Sequence, residues 1–291
     1  MKRNILLVGI GRRGVELTRS ISLIHDLPYI LDENIFTYMP TLSSTELRKH
    51  VASQRENFIG NINKYEQLII IGDLSEKISR SSIPVLSYFA MSCGKEVYNI
   101  IIMPYRFERS ILYDAMTALN IINNYSSCII ILDKDAVLTN NPELSDIDTA
   151  KVINSFVLKM IDLLLSFRIE FKDNLVNISD KSDINAAFKE ALKMLYNSSK
   201  PDDVHDAFLY ISNRNAKLRD VEELSNHMEH IFEHANINIV FTDDNNGLLL
   251  ITSSSNKFER CDPLYKITYN MDDNIEKITK IGDLRLPNME L

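Results

Sequence analysis

The sequence predicts an α/β protein: a Rossmann-like parallel-sheet domain, a long central helix and a smaller α/β carboxy-terminal domain. Three observations carry this. The runs 67–72, 97–103 and 128–132 are near-continuously apolar and rich in isoleucine, as strands buried on both faces of a parallel sheet are. Segments with helical spacing separate them, which implies right-handed βαβ crossovers. Residues 4–10 form a further apolar run that closes on Gly9-Ile10 and passes at once into a helical pattern.

The elements follow in order. Residues 13–25 predict a helix whose apolar stripe is Val15, Leu17, Ile21 and Ile24, and 35–39 reads as a short second strand. Ser44 opens a helix carrying Leu47 and Val51. After 67–72 the chain reads as a loop to residue 82. Pro84 is tolerated only near a helix start, which sets that start at Ser81 or Ser82, with Ile78, Ile83, Val85, Leu86 and Phe89 facing inward. Residues 146–167 form the longest helical pattern. Ile147, Ala150, Ile153, Phe156, Val157, Met160, Ile161, Leu164 and Leu165 cover more than one face, so burial on both sides is expected. A polar loop over 172–183 precedes a helix over 184–197, a strand over 206–212 and a helix over 219–235. Strands 237–241 and 247–252 flank an Asp-Asp-Asn-Asn-Gly turn, whose Asn and Gly accept positive φ. A further hairpin is expected from 265–269 and 277–281. This divides the chain into a Rossmann-like domain at 1–145, a connecting helix at 146–168, a second domain at 169–255 and an extension at 256–291.

Composition narrows the function. Over 291 residues, 40 acidic against 32 basic side chains give a formal charge of -8, which disfavours a nucleic-acid binder that needs a basic face. No apolar run reaches the roughly 20 residues needed to span a bilayer. The start, MKRNILLVGIGRRG, lacks both the apolar length and the cleavage site of a signal peptide. Cys93, Cys128 and Cys261 form neither a disulfide framework nor a paired metal motif. A cytoplasmic globular protein is expected. His227, His230 and His234, at spacings of three and four, can in principle hold zinc; flanking the stripe of Leu224, Met228 and Ile231, they read as surface residues and no metal is expected.

Gly9-Ile-Gly11-Arg12-Arg13-Gly14 falls where the first strand turns into the first helix. Missing side chains there let a phosphate approach the backbone, and the helix start offers N–H donors. The plainer reading is a tight turn that needs glycine for geometry alone. A dinucleotide site also wants an acid ending the second strand, whereas here Asp32 and Glu33 precede it, so a Rossmann dinucleotide enzyme is disfavoured.

Beyond these points the chain resembles the FtsZ/tubulin superfamily of self-assembling GTPases over residues 4–253. The likeness rests on six features in the family's order. They are the glycine turn, Asn99-Ile-Ile-Ile-Met-Pro104-Tyr-Arg-Phe107-Glu108, the apolar strand 128–132, the central helix 146–167, the loop Asn177-Ile-Ser-Asp180-Lys-Ser-Asp183, and the strand and helix order of residues 207–252. The resemblance implies a nucleotide site from Gly9, Gly11, Arg12, Arg13, Gly14, Gly72, Ser75, Pro104, Phe107, Glu108, Arg109 and Asn154. Asp180 and Asp183 would act in trans on a neighbour's nucleotide if GTP hydrolysis is retained.

Departures from the family pattern are as informative. The glycine-rich phosphate loop after the third strand reads Gly72-Asp-Leu-Ser-Glu-Lys-Ile-Ser-Arg-Ser-Ser82, where Asp73 and Glu76 repel a triphosphate and side chains block close backbone approach. Met39-Pro-Thr-Leu-Ser-Ser-Thr45 replaces a second glycine-rich loop, the family arginine is Leu112, and Ala150 and Ser155 stand where an aromatic residue and an aspartate belong. Asp183 equally suits a helix cap. The expectation is a non-canonical cytoskeletal or cell-division protein with degenerate GTP binding: no cofactor is expected, with GTP the one candidate. It would act on itself or on a filament-forming relative, with the 256–291 extension as a further partner site. The alternative is a GTP-hydrolysing filament former. An upper face bearing Arg12, Arg13, Lys77, Arg80, Arg106 and Arg109 is expected to meet a lower loop with Asp173, Asp180 and Asp183.

Overall fold

In the computed structural model, which describes residues 4–37, 40–166, 173–179, 183–198, 203–212, 217–241 and 247–254, the isoleucine-rich runs are strands. β1 (Ile5–Ile10), β3 (Gln67–Asp73) and β5 (Cys128–Asp133) are buried at every position, and β4 (Glu96–Met103) at all but its first. β2 (Tyr29–Leu31) completes the early sheet, with β6 (Asp173–Ser179), β7 (Val204–Ser212), β8 (Asn236–Phe241) and β9 (Gly247–Ser254) beyond. Among the described residues they form one sheet, ordered β2-β1-β3-β4-β5-β6-β9-β7-β8. β2 through β6 in that order are parallel, β9 runs antiparallel to both β6 and β7, and β8 is parallel to β7. The smaller carboxy-terminal part thus continues the sheet of the first.

Helices cover both faces. α1 (Gly11–His25) and α8 (Asp146–Ser166) pack on one face, where Leu17, Ile21, Ile153, Phe156, Val157, Met160 and Ile161 meet inward residues of β1, β3, β4 and β5. The same cluster includes Val176, Tyr210, Leu249 and Ile251, so α8 bridges the two parts of the sheet. On the other face lie α3 (Ser44–Ser53), α4 (Arg55–Ile62), α5 (Lys77–Ser92), α6 (Arg109–Asn124), α9 (Ile184–Ser198) and α10 (Leu218–Ile231). The short helices α2 (Asp32–Ile35) and α7 (Lys134–Asn140) follow β2 and β5 directly. Among the described residues no helix is long and apolar enough to cross a membrane.

Several expected elements move. The second strand is Tyr29–Leu31, in register with β1 through Leu7↔Tyr29 and Gly9↔Leu31, and not 35–39. Ile35 and Phe36 are adjacent and both buried, as the end of a helical turn allows but a half-buried strand does not. The polar loop 172–183 is a strand over Asp173–Ser179, held by β5 on one side and β9 on the other; its polar Asn177 and Ser179 are buried. α5 begins at Lys77, a turn before the predicted serine cap, and runs through Pro84, which cannot donate to the Arg80 carbonyl four residues back. Ile24 is 62% exposed and Ile147 69%, so the α1 stripe is shorter than predicted and α8 is not buried all round. α10 ends at Ile231, which leaves His234 outside the helix that was to align three histidines. Among the described residues no cluster of His, Cys, Asp and Glu could hold a metal ion. The 265–269 and 277–281 hairpin lies outside the described residues.

Close packing at the first turn fixes its glycines. A Cβ on Gly14 would sit 2.3 Å from the Ile71 carbonyl oxygen, because α1 lies directly on β3. Gly14→Ala is therefore expected to destabilise by about 1–3 kcal/mol. A Cβ on the exposed helical Gly60 would meet nothing within 4 Å, and Gly60→Ala is expected to stabilise by about 0.5–1 kcal/mol. Chemical denaturation of both variants measures the contrast.

Candidate functional site

The parallel register brings the carboxyl ends of β1, β3, β4 and β5 to one edge, where open α/β sheets place their ligands. The amino end of α1 points there. Its first amides lack intrahelical acceptors and carry the positive end of the helix dipole, so an anion is favoured. α1 has no acidic residue in its own first turn. The anions come from two other elements. Asp32, opening α2, accepts the Gly11 N–H through Oδ2 at 2.8 Å. Glu76, just before α5, accepts the Arg12 N–H through Oε2 at 2.8 Å and the Arg13 N–H through Oε1 at 3.2 Å. Asp32 is thus the acid ending the second strand that misplacement of β2 had hidden, and it faces the turn's own backbone. Burial raises the pKa of both carboxyl groups, against the pull of these amides; Asp73 adds to the effect on Glu76 and Glu33 to that on Asp32.

The residues after β3 knit this turn to its surroundings. Ser75 donates its N–H and hydroxyl to Asp73 Oδ1. Lys77 Nζ reaches the carbonyls of Pro40 and Leu42, each at 2.7 Å, and Arg80 binds those of Leu74 and Ser75, each at 2.7 Å. Ser79 donates to the Ile10 carbonyl at 3.1 Å. A Cβ on Gly72 would lie 2.5 Å from Ile83 Cδ1.

A second set of charges closes the ends of β4 and β5. Lys134 Nζ lies 2.7 Å from Asp73 Oδ2, 3.3 Å from Ser75 Oγ and 5.3 Å from the centre of the Tyr105 ring. Both members of the Asp73–Lys134 pair are buried. The Arg106 N–H donates to Asp135 Oδ2 at 2.7 Å, and its guanidinium approaches Asp133 at 3.7 Å and Asp135 at 4.0 Å. Burial, then the neighbouring Asp133, raises the pKa of Asp135. Tyr105, which donates to Asp146, has its phenol pushed up to about 12, chiefly by burial. Arg13 donates to Asn154 Oδ1 at 3.2 Å.

Of the residues read from sequence, Gly9, Gly11, Arg12, Arg13, Gly14, Gly72, Ser75, Pro104, Glu108 and Asn154 do converge on this edge. Asn154 holds Arg13, and Glu108 accepts the Tyr105 N–H at 3.1 Å while preceding α6. Phe107 is 75% exposed and stacks on Tyr105 at 5.0 Å, and Arg109 is exposed. Asp183 caps α9 by accepting the Ala186 N–H at 2.7 Å; Asp180 lies outside the described residues. The uniform basic upper face does not form. Lys77 and Arg80 turn to backbone carbonyls, Arg106 to aspartates and Arg13 to Asn154, which leaves Arg12 and Arg109 outward. Sequence reasoning missed Lys134, Asp133 and Asp135, although Asp-Lys-Asp ending an all-apolar strand was a visible signal. The amides of Gly11, Arg12 and Arg13 are already taken by the Asp32 and Glu76 carboxylates, so any other anion on them would have to displace these groups.

No protein-family model and no curated protein matches the sequence. Solved structures do match. A CetZ from Methanosaeta thermophila superposes with a TM-score of 0.68 at 14% identity, covering 96% of this chain and 95% of that one. An empty FtsZ dimer from M. jannaschii gives 0.67 at 14% identity over 87% and 88%. TubZ of Clostridium botulinum phage c-st, truncated at its carboxy-terminal tail, gives 0.62 at 13% over 96% and 99%. The chain therefore has the FtsZ/tubulin-like two-part α/β fold.

Two outcomes follow from these contacts. A carboxyl whose pKa is raised on folding contributes stability below its unfolded pKa, lost as pH climbs through the folded one. Glu76→Gln removes that loss, so its melting temperature relative to wild type should rise as pH climbs from the ordinary carboxyl range through the raised pKa of Glu76; a flat difference would contradict the buried carboxyl. Lys134→Met strands Asp73 in the interior and should cost about 3–5 kcal/mol, with most of it recovered in Lys134→Met/Asp73→Leu. Urea titration reads both.

Proposed function

We propose that the protein is a cytoskeletal FtsZ/tubulin-like subunit that works without bound guanine nucleotide, assembling with itself or with a filament-forming relative. The carrying observation is the Glu76 carboxylate on the Arg12 and Arg13 amides, donors that a phosphate would need. Fold similarity supports the assembly half of the reading, since one similar structure is a GTPγS-bound protofilament of Haloferax volcanii CetZ2, at a TM-score of 0.67. In this reading residues 1–145 and 169–255 act as two units joined by the helix within 146–168, the protein is cytoplasmic, and 256–291 serves a partner. Because the basic side chains of the upper face are largely engaged internally, contact would rest on the exposed Phe107 and Ile147. Tyr105 links the two, stacking on Phe107 and bonding Asp146.

Nucleotide released from purified protein, identified by mass spectrometry, should be far below stoichiometric. Sedimentation should show self-association, or binding to a filament-forming relative, unchanged by GTP. Phe107→Ser and Ile147→Ser should each weaken it by about fivefold or more, the scale of a buried interface anchor. Stoichiometric guanine nucleotide, or turnover that Asp183→Ala abolishes, would overturn the proposal.

A further inference from the structure

We infer that Glu76 is a tethered internal ligand: an acidic latch that fills an otherwise intact anion cradle at the start of α1 and keeps phosphoryl groups out of it. The inference rests on the nucleotide-free reading and adds that the cradle persists beneath its occupant. Two carboxylate oxygens on two successive amides, at 2.8 and 3.2 Å, place negative charge as two oxygens of a phosphoryl group would. The cradle is open because Gly11 has no side chain: its φ is +74°, and a Cβ there would lie 2.0 Å from Glu76 Oε2. Anything seated on these amides must occupy the space that Glu76 now fills.

The latch is positioned from both sides. Lys77, the next residue, grips the Pro40 and Leu42 carbonyls, and Arg80, one turn on, grips those of Leu74 and Ser75. With its backbone pinned, the carboxylate stands at a high effective concentration over the amides, and a free oxyanion competes poorly against a tethered one. Asp73, whose charge acts on Glu76, and Asp32, which holds the neighbouring Gly11 amide, add repulsion that an incoming phosphate would feel. The excluded class is therefore a tetrahedral oxyanion, either free or as the end of a nucleotide.

The test uses the full chain labelled with 15N-arginine, so that the backbone amides of Arg12 and Arg13 report directly. Wild type, Glu76→Ala and Glu76→Gln are titrated with inorganic pyrophosphate, and separately with GTP. Both variants should show saturable shifts of the Arg12 and Arg13 backbone amides with pyrophosphate, at least about tenfold tighter than wild type, Glu76→Ala more than Glu76→Gln. GTP binding no tighter than pyrophosphate assigns recognition to the phosphoryl group alone, and tighter GTP binding assigns a contribution from the nucleoside as well; either supports the latch. Should Glu76→Ala not fold, the nearly isosteric Glu76→Gln carries the comparison. Absence of any gain in a folded variant, equal affinity in wild type, or shifts confined to arginine side chains would overturn the latch. The nucleotide-free reading fails on a different measurement, the guanine nucleotide content of purified wild type.

Discussion

The demand of one helix start for negative charge organises the upper edge of this molecule. α1 must begin where β1 ends, because Gly9 in β1 lets the helix approach at Thr18 and the Gly14 carbonyl, and Gly14 lets it lie on the β3 backbone at Ile71. Its first amides then face the carboxyl edge of the sheet with no acid of their own to meet them. Hydrogen bonds to a charged partner are worth about 1.5–3 kcal/mol, and leaving such donors unmet inside the fold costs a similar amount. Asp32 and Glu76, both from later elements of the chain, answer that demand, so the position of α2, the β3–α5 turn and the start of α5 all follow from it. α5 starting at Lys77 rather than at the serines is one consequence. A helix beginning at Ser81 would leave Glu76 in a loop with nothing to hold it over α1.

The same edge shows how an open α/β sheet accommodates charge with its own side chains. Asp73 and Lys134 are both buried, which is tolerable only because each neutralises the other and Ser75 and Tyr105 supply further polar and cation–π contact. Arg106 does the same for Asp133 and Asp135. Such pairs add little net stability compared with apolar packing, yet they restrict the arrangement, since every alternative leaves a buried charge alone. The result is a preorganised surface from which Phe107 and Ile147 project.

Legibility in the sequence followed burial. Strands buried on both faces announced themselves as isoleucine runs, and α8 by its long apolar repeat, because solvent exclusion there leaves little choice of residue type. β2 and β6 did not. β2 is a three-residue edge strand with an exposed tyrosine, and β6 hides Asn177 and Ser179 in the interior, so both look polar or patternless although pairing on the sheet defines them. The glycine turn between β1 and α1 was readable from its spacing. That Glu76 binds the turn instead of merely repelling a ligand was not, because spacing along the chain says nothing of which amides a carboxylate 64 residues away will reach. The basic face failed for the complementary reason: counting arginines and lysines ignores backbone carbonyls, which here capture Lys77 and Arg80.

A resident carboxylate also changes what kind of switch the fold can support. In nucleotide-driven switches, contacts to a γ-phosphate hold a loop that is released when the phosphate is hydrolysed and leaves. Glu76 is covalently part of the chain: it cannot be hydrolysed, exchanged or diluted, and it stands on the Arg12 and Arg13 amides without any associated subunit. A ligand shifts an equilibrium only by the difference in its affinity for the two states, and a fixed internal ligand offers no change in concentration through which to express one. Assembly built on this upper face would therefore be governed by subunit concentration and by the availability of a partner surface, with no built-in clock for disassembly. Timing would have to be imposed from outside the subunit, by a partner whose own state changes.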